Sequence, residues 1–240
     1  MRLTKYGKRE IILFSLLSLA GMAAVTAVAL YAGKPWVLCF CAIPAAFGGF
    51  TLFFFRDPER TVPEDANLVI APADGTVTEI AEVHENTYLK SKAKKVGIFL
   101  SLFSVHINRS PCSGTVEYLK YTPGKFLNAG DLRSSEVNES NAIGIATSRC
   151  KMLVRQISGV VARRIVCTLK EGDKVETGEK FGMIKFGSRT ELYIPADNGF
   201  EVNVKLGQKI KAGETVLGIF RKTPAEEKDA QEARAGAERA

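Results

Sequence analysis

The sequence predicts a mainly β (α+β) domain carried behind an N-terminal helical hairpin. Three observations lead there. Two long uncharged apolar runs open the chain. From residue 68 onward, short apolar runs are cut by Gly, Pro, Asp and Asn. Within that stretch, turn motifs recur at fixed offsets.

The hairpin comes first. Residues 11–32 carry no charge over 22 positions, and residues 35–55 are again uncharged, ending in Phe53-Phe54-Phe55. Each run is long enough to cross a hydrocarbon core as a helix, which takes about 20 apolar residues. Gly33-Lys34 alone separates them, so the connection must be tight. A cleaved signal peptide is the competing reading of the first run, but that run is too long and a second follows at once. Arg2, Lys5, Lys8 and Arg9 precede the first run, Lys34 sits in the connection, and Arg56 and Arg60 follow the second. Cations gather on the cytoplasmic side of spanning helices, so both ends are expected there, at the cell membrane. The expected organisation is a membrane hairpin over 1–55, a β-rich domain over 56–222 and a polar tail over 223–240. The tail is rich in Ala, Glu, Lys and Arg and has no aromatic residue, so it has little to bury.

The formal net charge is +7, and Lys90, Lys92, Lys94 and Lys95 fall close together. For a domain tethered to a membrane, the matching partner is an anionic membrane surface, although a solvated face explains that cluster equally well. No nucleic acid is expected, because no aromatic-basic interleaving or groove-reading pattern accompanies the charge. Cys39 and Cys41 lie within the second apolar run, and Cys112, Cys150 and Cys167 are isolated. No metal-ligand spacing appears, and a cytoplasmic domain disfavours disulfides. The sequence leaves open whether the chain forms a homo-oligomer.

In the β region, Val96 to Val105 is a continuous apolar run that reads as a buried strand. Pro72-Ala73-Asp74-Gly75-Thr76-Val77 is echoed by Pro111-Cys112-Ser113-Gly114-Thr115-Val116, and more loosely by Pro195 to Phe200. Gly172-Asp173-Lys174-Val175 with Gly178-Glu179 recurs as Gly207-Gln208-Lys209-Ile210 with Gly213-Glu214. The glycines permit tight turns, while Val175 and Ile210 can point into one core. Repeats of this kind resemble the β-hairpins of biotinyl/lipoyl-like barrel-sandwich domains, which implies a β-domain with pseudo-symmetric halves.

The chemistry centres on Phe186-Gly187-Ser188-Arg189. A glycine carbonyl can be approached closely and its backbone strained. The following serine hydroxyl can attack that carbonyl, move the acyl group from nitrogen to oxygen and leave an ester. Elimination and hydrolysis then leave a pyruvoyl group, a built-in electrophile. Alone, Gly-Ser more often marks an ordinary turn. His106 follows the apolar run at the mouth of a Pro-containing loop, where it serves as a base, holds a carboxylate, or simply braces the turn. His84 lies in a polar stretch and reads as a surface residue. Asp74 stands before Gly75, the ordinary chemistry of a turn. Asn138-Glu139-Ser140-Asn141 is either an exposed loop or a line of hydrogen-bonding groups around a polar substrate.

Together these residues resemble the phosphatidylserine decarboxylases, pyruvoyl-dependent lyases made as proenzymes. The resemblance spans Phe54 to about Phe220. It rests on the ordered occurrence of Phe55-Arg56-Asp57-Pro58-Glu59-Arg60, Ala71-Pro72-Ala73-Asp74-Gly75, Val105-His106-Ile107-Asn108-Arg109, Asn138-Glu139 and Phe186-Gly187-Ser188-Arg189. The last looks like the shorter subtype; longer members carry Leu-Gly-Ser-Thr there. Longer members also place two histidines in the loop matching 103–106, whereas here Phe103 holds the first place and His106 the second.

The resemblance implies a processing set of Asp74, His106 and Ser188, with cleavage between Gly187 and Ser188. It implies fragments 1–187 and 188–240 that stay associated, and a covalent pyruvoyl cofactor derived from Ser188. That ketone would form a Schiff base with phosphatidylserine and act as the electron sink for its conversion to phosphatidylethanolamine. His106 would engage the substrate carboxylate or supply a proton, and Asn108 and Arg109 would help bind the phosphodiester. Three other readings compete. One is a membrane-anchored biotinyl/lipoyl-like adaptor of a transport assembly without catalysis. Another is a carrier domain using Lys185. The third is a membrane serine peptidase using Ser188 and His106.

Overall fold

The computed structural model describes residues 2–131, 133–160, 164–185 and 187–221. Phe186 of the reactive tetrapeptide and the tail from 223 lie outside these residues.

The first apolar run folds as helix α1 (Lys8–Tyr31). After a turn with Gly33 at φ +59°, the second run starts as a 3-10 helix over Pro35–Cys41 and continues as α2 (Ala42–Phe54). Both are long and apolar enough to cross a membrane. Small residues let them pack closely: Ser18 Oγ donates to the Pro44 carbonyl at 2.5 Å, and a Cβ on Gly48 would stand 2.6 Å from that same Oγ. Phe14 meets Phe47 edge-on at 5.5 Å. The outer faces keep Leu13, Leu16, Leu17 and Ile43 exposed, as two helices meant for an apolar medium would.

The rest is mainly β. In chain order the strands are β1 (Leu68–Ile70), β2 (Gly75–Glu85), β3 (Ser91–Leu100), β4 (Ile107–Arg109), β5 (Gly114–Thr122), β6 (Ser140–Ala146) and β7 (Lys151–Ile157). They continue as β8 (Ile165–Cys167), β9 (Lys174–Val175), β10 (Lys180–Ile184), β11 (Ser188–Pro195), β12 (Phe200–Val202), β13 (Lys209–Ile210) and β14 (Val216–Phe220). A one-turn helix, α3 (Ser134–Val137), precedes β6. An eight-stranded sheet runs β13-β2-β3-β11-β7-β6-β5-β9, and two three-stranded sheets run β1-β14-β12 and β4-β10-β8. Val77, Val96, Ile98, Ile143, Val154, Leu192 and Phe220 meet in the main core.

The sequence repeats are repeats of structure. Gly75 pairs with Ile210 as Gly114 pairs with Val175. The Val77 N–H donates to the Gln208 carbonyl, and the Val116 N–H to the Asp173 carbonyl. The Gly207 N–H returns to the Val77 carbonyl and the Gly172 N–H to the Val116 carbonyl. Both glycines have positive φ, +81° and +93°, which a side chain would strain. The halves also grip each other reciprocally: the Arg109 N–H donates to the Pro72 carbonyl, and the Ile70 N–H to the Pro111 carbonyl.

Two expectations change. The apolar run from Val96 does not remain a strand to Val105. β3 ends at Leu100, residues 101–104 turn, and Phe103 is 70% exposed. Nor do the four lysines form one surface cluster. β3 alternates its faces, so Lys92 is exposed while the buried Lys95 pairs with Glu79 and Glu191, both at 2.9 Å. His84 lies in β2 and is exposed, as expected.

The hairpin is seated on the β-domain by a second cluster. Phe54 and Phe55 are fully buried with Tyr6, Val105, Ile107 and Met183. The Thr4 N–H donates to the Phe55 carbonyl at 2.9 Å, and the Tyr6 hydroxyl donates to the Lys180 carbonyl at 2.9 Å. The end of α2 therefore packs directly against β4 and β10.

Candidate active site

Ser188 opens β11, opposite Leu100 of β3. It is fully buried, and its Oγ has no hydrogen-bond partner among the described residues. A buried hydroxyl left unpaired costs about 1–3 kcal/mol, so its place calls for a reason. Gly187, just before it, has φ +64°, the left-handed region that favours glycine. The Gly187 carbonyl oxygen rests on Gly159, at the exit of β7: a Cβ added to Gly159 would stand 2.1 Å from it.

His106 lies immediately before β4 and is fully buried, its ring 4.4 Å from that of Phe54. The Gly187 N–H donates to Nε2 at 3.3 Å, so Nε2 carries the lone pair. Nδ1 then carries the proton and donates it to the Ser104 carbonyl at 2.9 Å. Burial and the nearby Arg56 lower the His106 pKa to about 4, although its bond to Ser104 works the other way. The imidazole is thus neutral at pH 7, with a basic nitrogen held by the amide on the N-terminal side of Gly187.

On the other face of β11, Arg189 is fully buried. It donates to Glu191 and Thr78 at 2.8 and 2.9 Å and is paired with Glu79. Gly97 leaves room for the guanidinium, since a Cβ there would lie 2.1 Å from Nη2. Burial pushes the Glu191 carboxyl up, but Lys95, Arg189 and hydrogen bonds from Ser135 and Tyr193 bring it down to about 2. This network anchors the first residues of β11 to β2 and β3 and thereby holds Ser188 in register. Replacing Arg189 by Met leaves buried carboxylates short of a cation, and is expected to cost about 3–5 kcal/mol. Urea unfolding of R189M beside its parent, both carrying Ser188→Ala, measures it.

Residues 47–218 match the family described as phosphatidylserine decarboxylase, which is most of the chain. The chain belongs to the phosphatidylserine decarboxylase family. A phosphatidylserine decarboxylase proenzyme of Carboxydothermus hydrogenoformans is 52% identical over 169 residues, 70% of this chain and 79% of the relative. Those of Desulfotalea psychrophila and Pelobacter propionicus are 41% and 47% identical, and the matches cover 91% and 92% of their lengths and 82% and 83% of this chain.

Of the residues that suggested a phosphatidylserine decarboxylase, the structure brings Gly187, Ser188 and His106 together. Asp74 sits elsewhere. Its carboxylate accepts from Arg60 and from the Ala212 N–H, both at 2.8 Å, while both His106 nitrogens are taken by other groups. Burial raises the Asp74 carboxyl above its ordinary value, and Arg60 offsets part of that rise. Asn108 is fully buried, bonded to the Pro72 carbonyl, Thr190 and Gln156. Arg109 donates to the Gly178 and Pro58 carbonyls and is paired with Asp57 at 3.8 Å. Both therefore brace the two halves of the fold and have no free face for a phosphodiester. Asn138 ties the preceding loop to Ser158, with bonds to Leu127 and to the Ser158 carbonyl. Lys185 is buried and paired with Glu10 of α1 at 2.7 Å, so it is no exposed carrier lysine.

Sequence reading missed Gly159, Phe54 and the Ser104 carbonyl. Gly159 is a lone loop glycine, Phe54 hid in a run read as the end of a span, and a backbone carbonyl leaves no trace in a motif.

Proposed function

We propose that this chain is a proenzyme that cuts itself between Gly187 and Ser188 and then converts phosphatidylserine to phosphatidylethanolamine at the cytoplasmic face of the cell membrane. The observation that carries the proposal is the buried, unpartnered Ser188 hydroxyl next to a left-handed glycine whose N–H rests on a neutral imidazole. The paired repeats support a biotinyl/lipoyl-like barrel-sandwich for the β-domain, with domain limits near 55 and 222.

In the precursor, the Ser188 proton passes to His106 Nε2 once the Gly187 N–H yields its place. Oγ attacks the Gly187 carbonyl carbon, and the proton returns to the Ser188 nitrogen as the C–N bond breaks. Loss of the Ser188 Cα proton then expels the Gly187 carboxylate, and water releases the nitrogen as ammonia. A pyruvoyl group is left at the head of 188–240. The fit of Ser188 to that role rests on its unpaired Oγ, on the open space at Gly187 and on the close approach of Gly159 to the Gly187 carbonyl. When present, the group supplies the carbonyl that takes the substrate amine and accepts the electron pair left by carbon dioxide. His106, packed on Phe54, offers the substrate carboxylate a site screened from water and keeps a nitrogen available for proton transfer. Asp74 acts at a distance, as a positioning residue that with Arg60 fixes the turn beside β4.

The competing readings lose ground on geometry. A carrier domain needs its lysine exposed, and Lys185 is buried and paired with Glu10. An adaptor of this kind carries a long helical hairpin between its halves, yet after residue 56 the helix among the described residues is the single turn α3.

Intact masses of wild type and Ser188→Ala test the proposal. Two fragments meeting at 187/188, the smaller bearing an N-terminal pyruvoyl, are expected from wild type and a single chain from the variant. A folded wild type that stays whole overturns it.

A further inference from the structure

The turn between β3 and β4 carries an apolar tip that the chemistry above does not use. The Ser104 N–H donates to the Ser101 carbonyl at 2.9 Å, and the two hydroxyls meet at 3.2 Å. This closes the turn and directs Leu102 and Phe103 outward, 38% and 70% exposed. The tip is fixed to the end of α2. Arg56 donates to the Phe103 carbonyl at 2.6 Å and to the Phe53 carbonyl at 2.7 Å, and its guanidinium lies 3.9 Å over the Phe53 ring. At its other end the same turn holds His106 through Ser104. Val160, beside the Gly159 that supports the Gly187 carbonyl, is also exposed.

These exposed groups stand where the hairpin enters the β-domain. The start of α1 lies at the same level, since Thr4 bonds Phe55, and it presents Lys8 and Arg9 next to exposed Ile12, Leu13 and Leu16. A belt of cations with apolar groups beside it matches the boundary between lipid headgroups and acyl chains. Leaving Phe103 and Leu102 in water forgoes their burial, whereas the bilayer reached by α2 would cover them.

We propose that Leu102 and Phe103 form a tip that inserts into the headgroup–acyl boundary of the bilayer and admits a membrane lipid to His106 and residue 188 directly from the lipid phase. The inference builds on the decarboxylase reading. It makes the tip a determinant of specificity for substrate held in a bilayer rather than dissolved in water.

The test uses the full chain in phosphatidylcholine vesicles. Wild type and Leu102→Ser/Phe103→Ser are compared on long-chain phosphatidylserine in the same bilayer and on dihexanoyl-phosphatidylserine supplied as monomers from water. The expected result is a rise of about tenfold in KM for the bilayer substrate at unchanged kcat, with the soluble substrate changed by less than about twofold. An equal loss on both substrates overturns the proposal, as does no loss on the bilayer substrate. A second measurement is independent of turnover. The chain has one tryptophan, so Trp36→Phe/Phe103→Trp carries a single reporter at the tip. Quenching by lipids brominated high on the acyl chain is expected. Quenching by aqueous iodide instead, or a change of oligomeric state in Phe103→Ser, overturns insertion. If wild type decarboxylates neither substrate, the decarboxylase reading fails while the quenching result still decides insertion.

Discussion

Replacing His106 by Gln or Ala is expected to leave the chain uncut. His106 Nε2 accepts from the N–H of Gly187, the residue whose carbonyl the proposed cut attacks, and positioned general bases contribute about 10²–10⁴-fold. Processing should therefore slow from the time of synthesis to days, read as the fraction of intact chain by mass. Added imidazole should restore part of the rate to the Ala variant, which a purely structural defect would not allow. In wild type, processing should be flat down to about pH 5 and fall as pH drops through about 4, where Nε2 becomes protonated. The same burial gives a stability signature. The folded-state pKa lies below the unfolded value of about 6.5, so on acidification the unfolded chain takes up the proton first. Stability is then lost between about pH 6.5 and 4, by about 3 kcal/mol at most, and His106→Gln should flatten that slope. Urea titrations at several pH values, in the Ser188→Ala background, measure it.

Gly159→Ala is expected to block processing almost as fully without removing a catalytic side chain. The new Cβ would stand 2.1 Å from the Gly187 oxygen and 3.2 Å from Ala129 Cβ, so the scissile carbonyl must move. A displacement of about 1 Å at a reacting atom can cost about 10²-fold. Gly114→Ala is the control. Its Cβ meets the Ala146 carbonyl oxygen at 2.4 Å, a clash onto backbone between β5 and β6, away from the cut. Both variants should lose stability, but Gly114→Ala should still be cut. Cleavage of Gly159→Ala at the wild-type rate removes Gly159 from the mechanism.

Much of the fold could be read from the chain, because glycine spacing and turn geometry are coupled locally. Gly172 and Gly207 announced equivalent turns, and the structure gives them equivalent hydrogen bonds. Two uncharged runs sufficed for two helices, since length and composition alone decide whether a helix suits an apolar medium. The end of β3 was not legible. Leu102 and Phe103 are as apolar as Ile98 and Leu100, and only the bond closing Ser101 to Ser104 separates tip from core. At the site, Gly187, Ser188 and His106 were legible as residue types. Their partners were not, because the imidazole is held by a carbonyl and an amide, which every residue has. Asn108 and Arg109 had the right chemistry for a phosphodiester, but tertiary packing turned both inward to protein carbonyls.

The place of β11 has a consequence for the matured protein. It lies fourth in a sheet of eight, between β3 and β7, and two strands after it also pair with strands before it: β13 with β2, and β14 with β1. The proposed cut before Ser188 would turn one chain into two interleaved ones. The precursor can refold by a unimolecular search, whereas the mature pair must find each other again, so its recovery from denaturant should depend on concentration. Under the proposed cut, unfolding would become a one-way event at low concentration: the proenzyme carries the folding information, and the product would keep its shape through a barrier to separation.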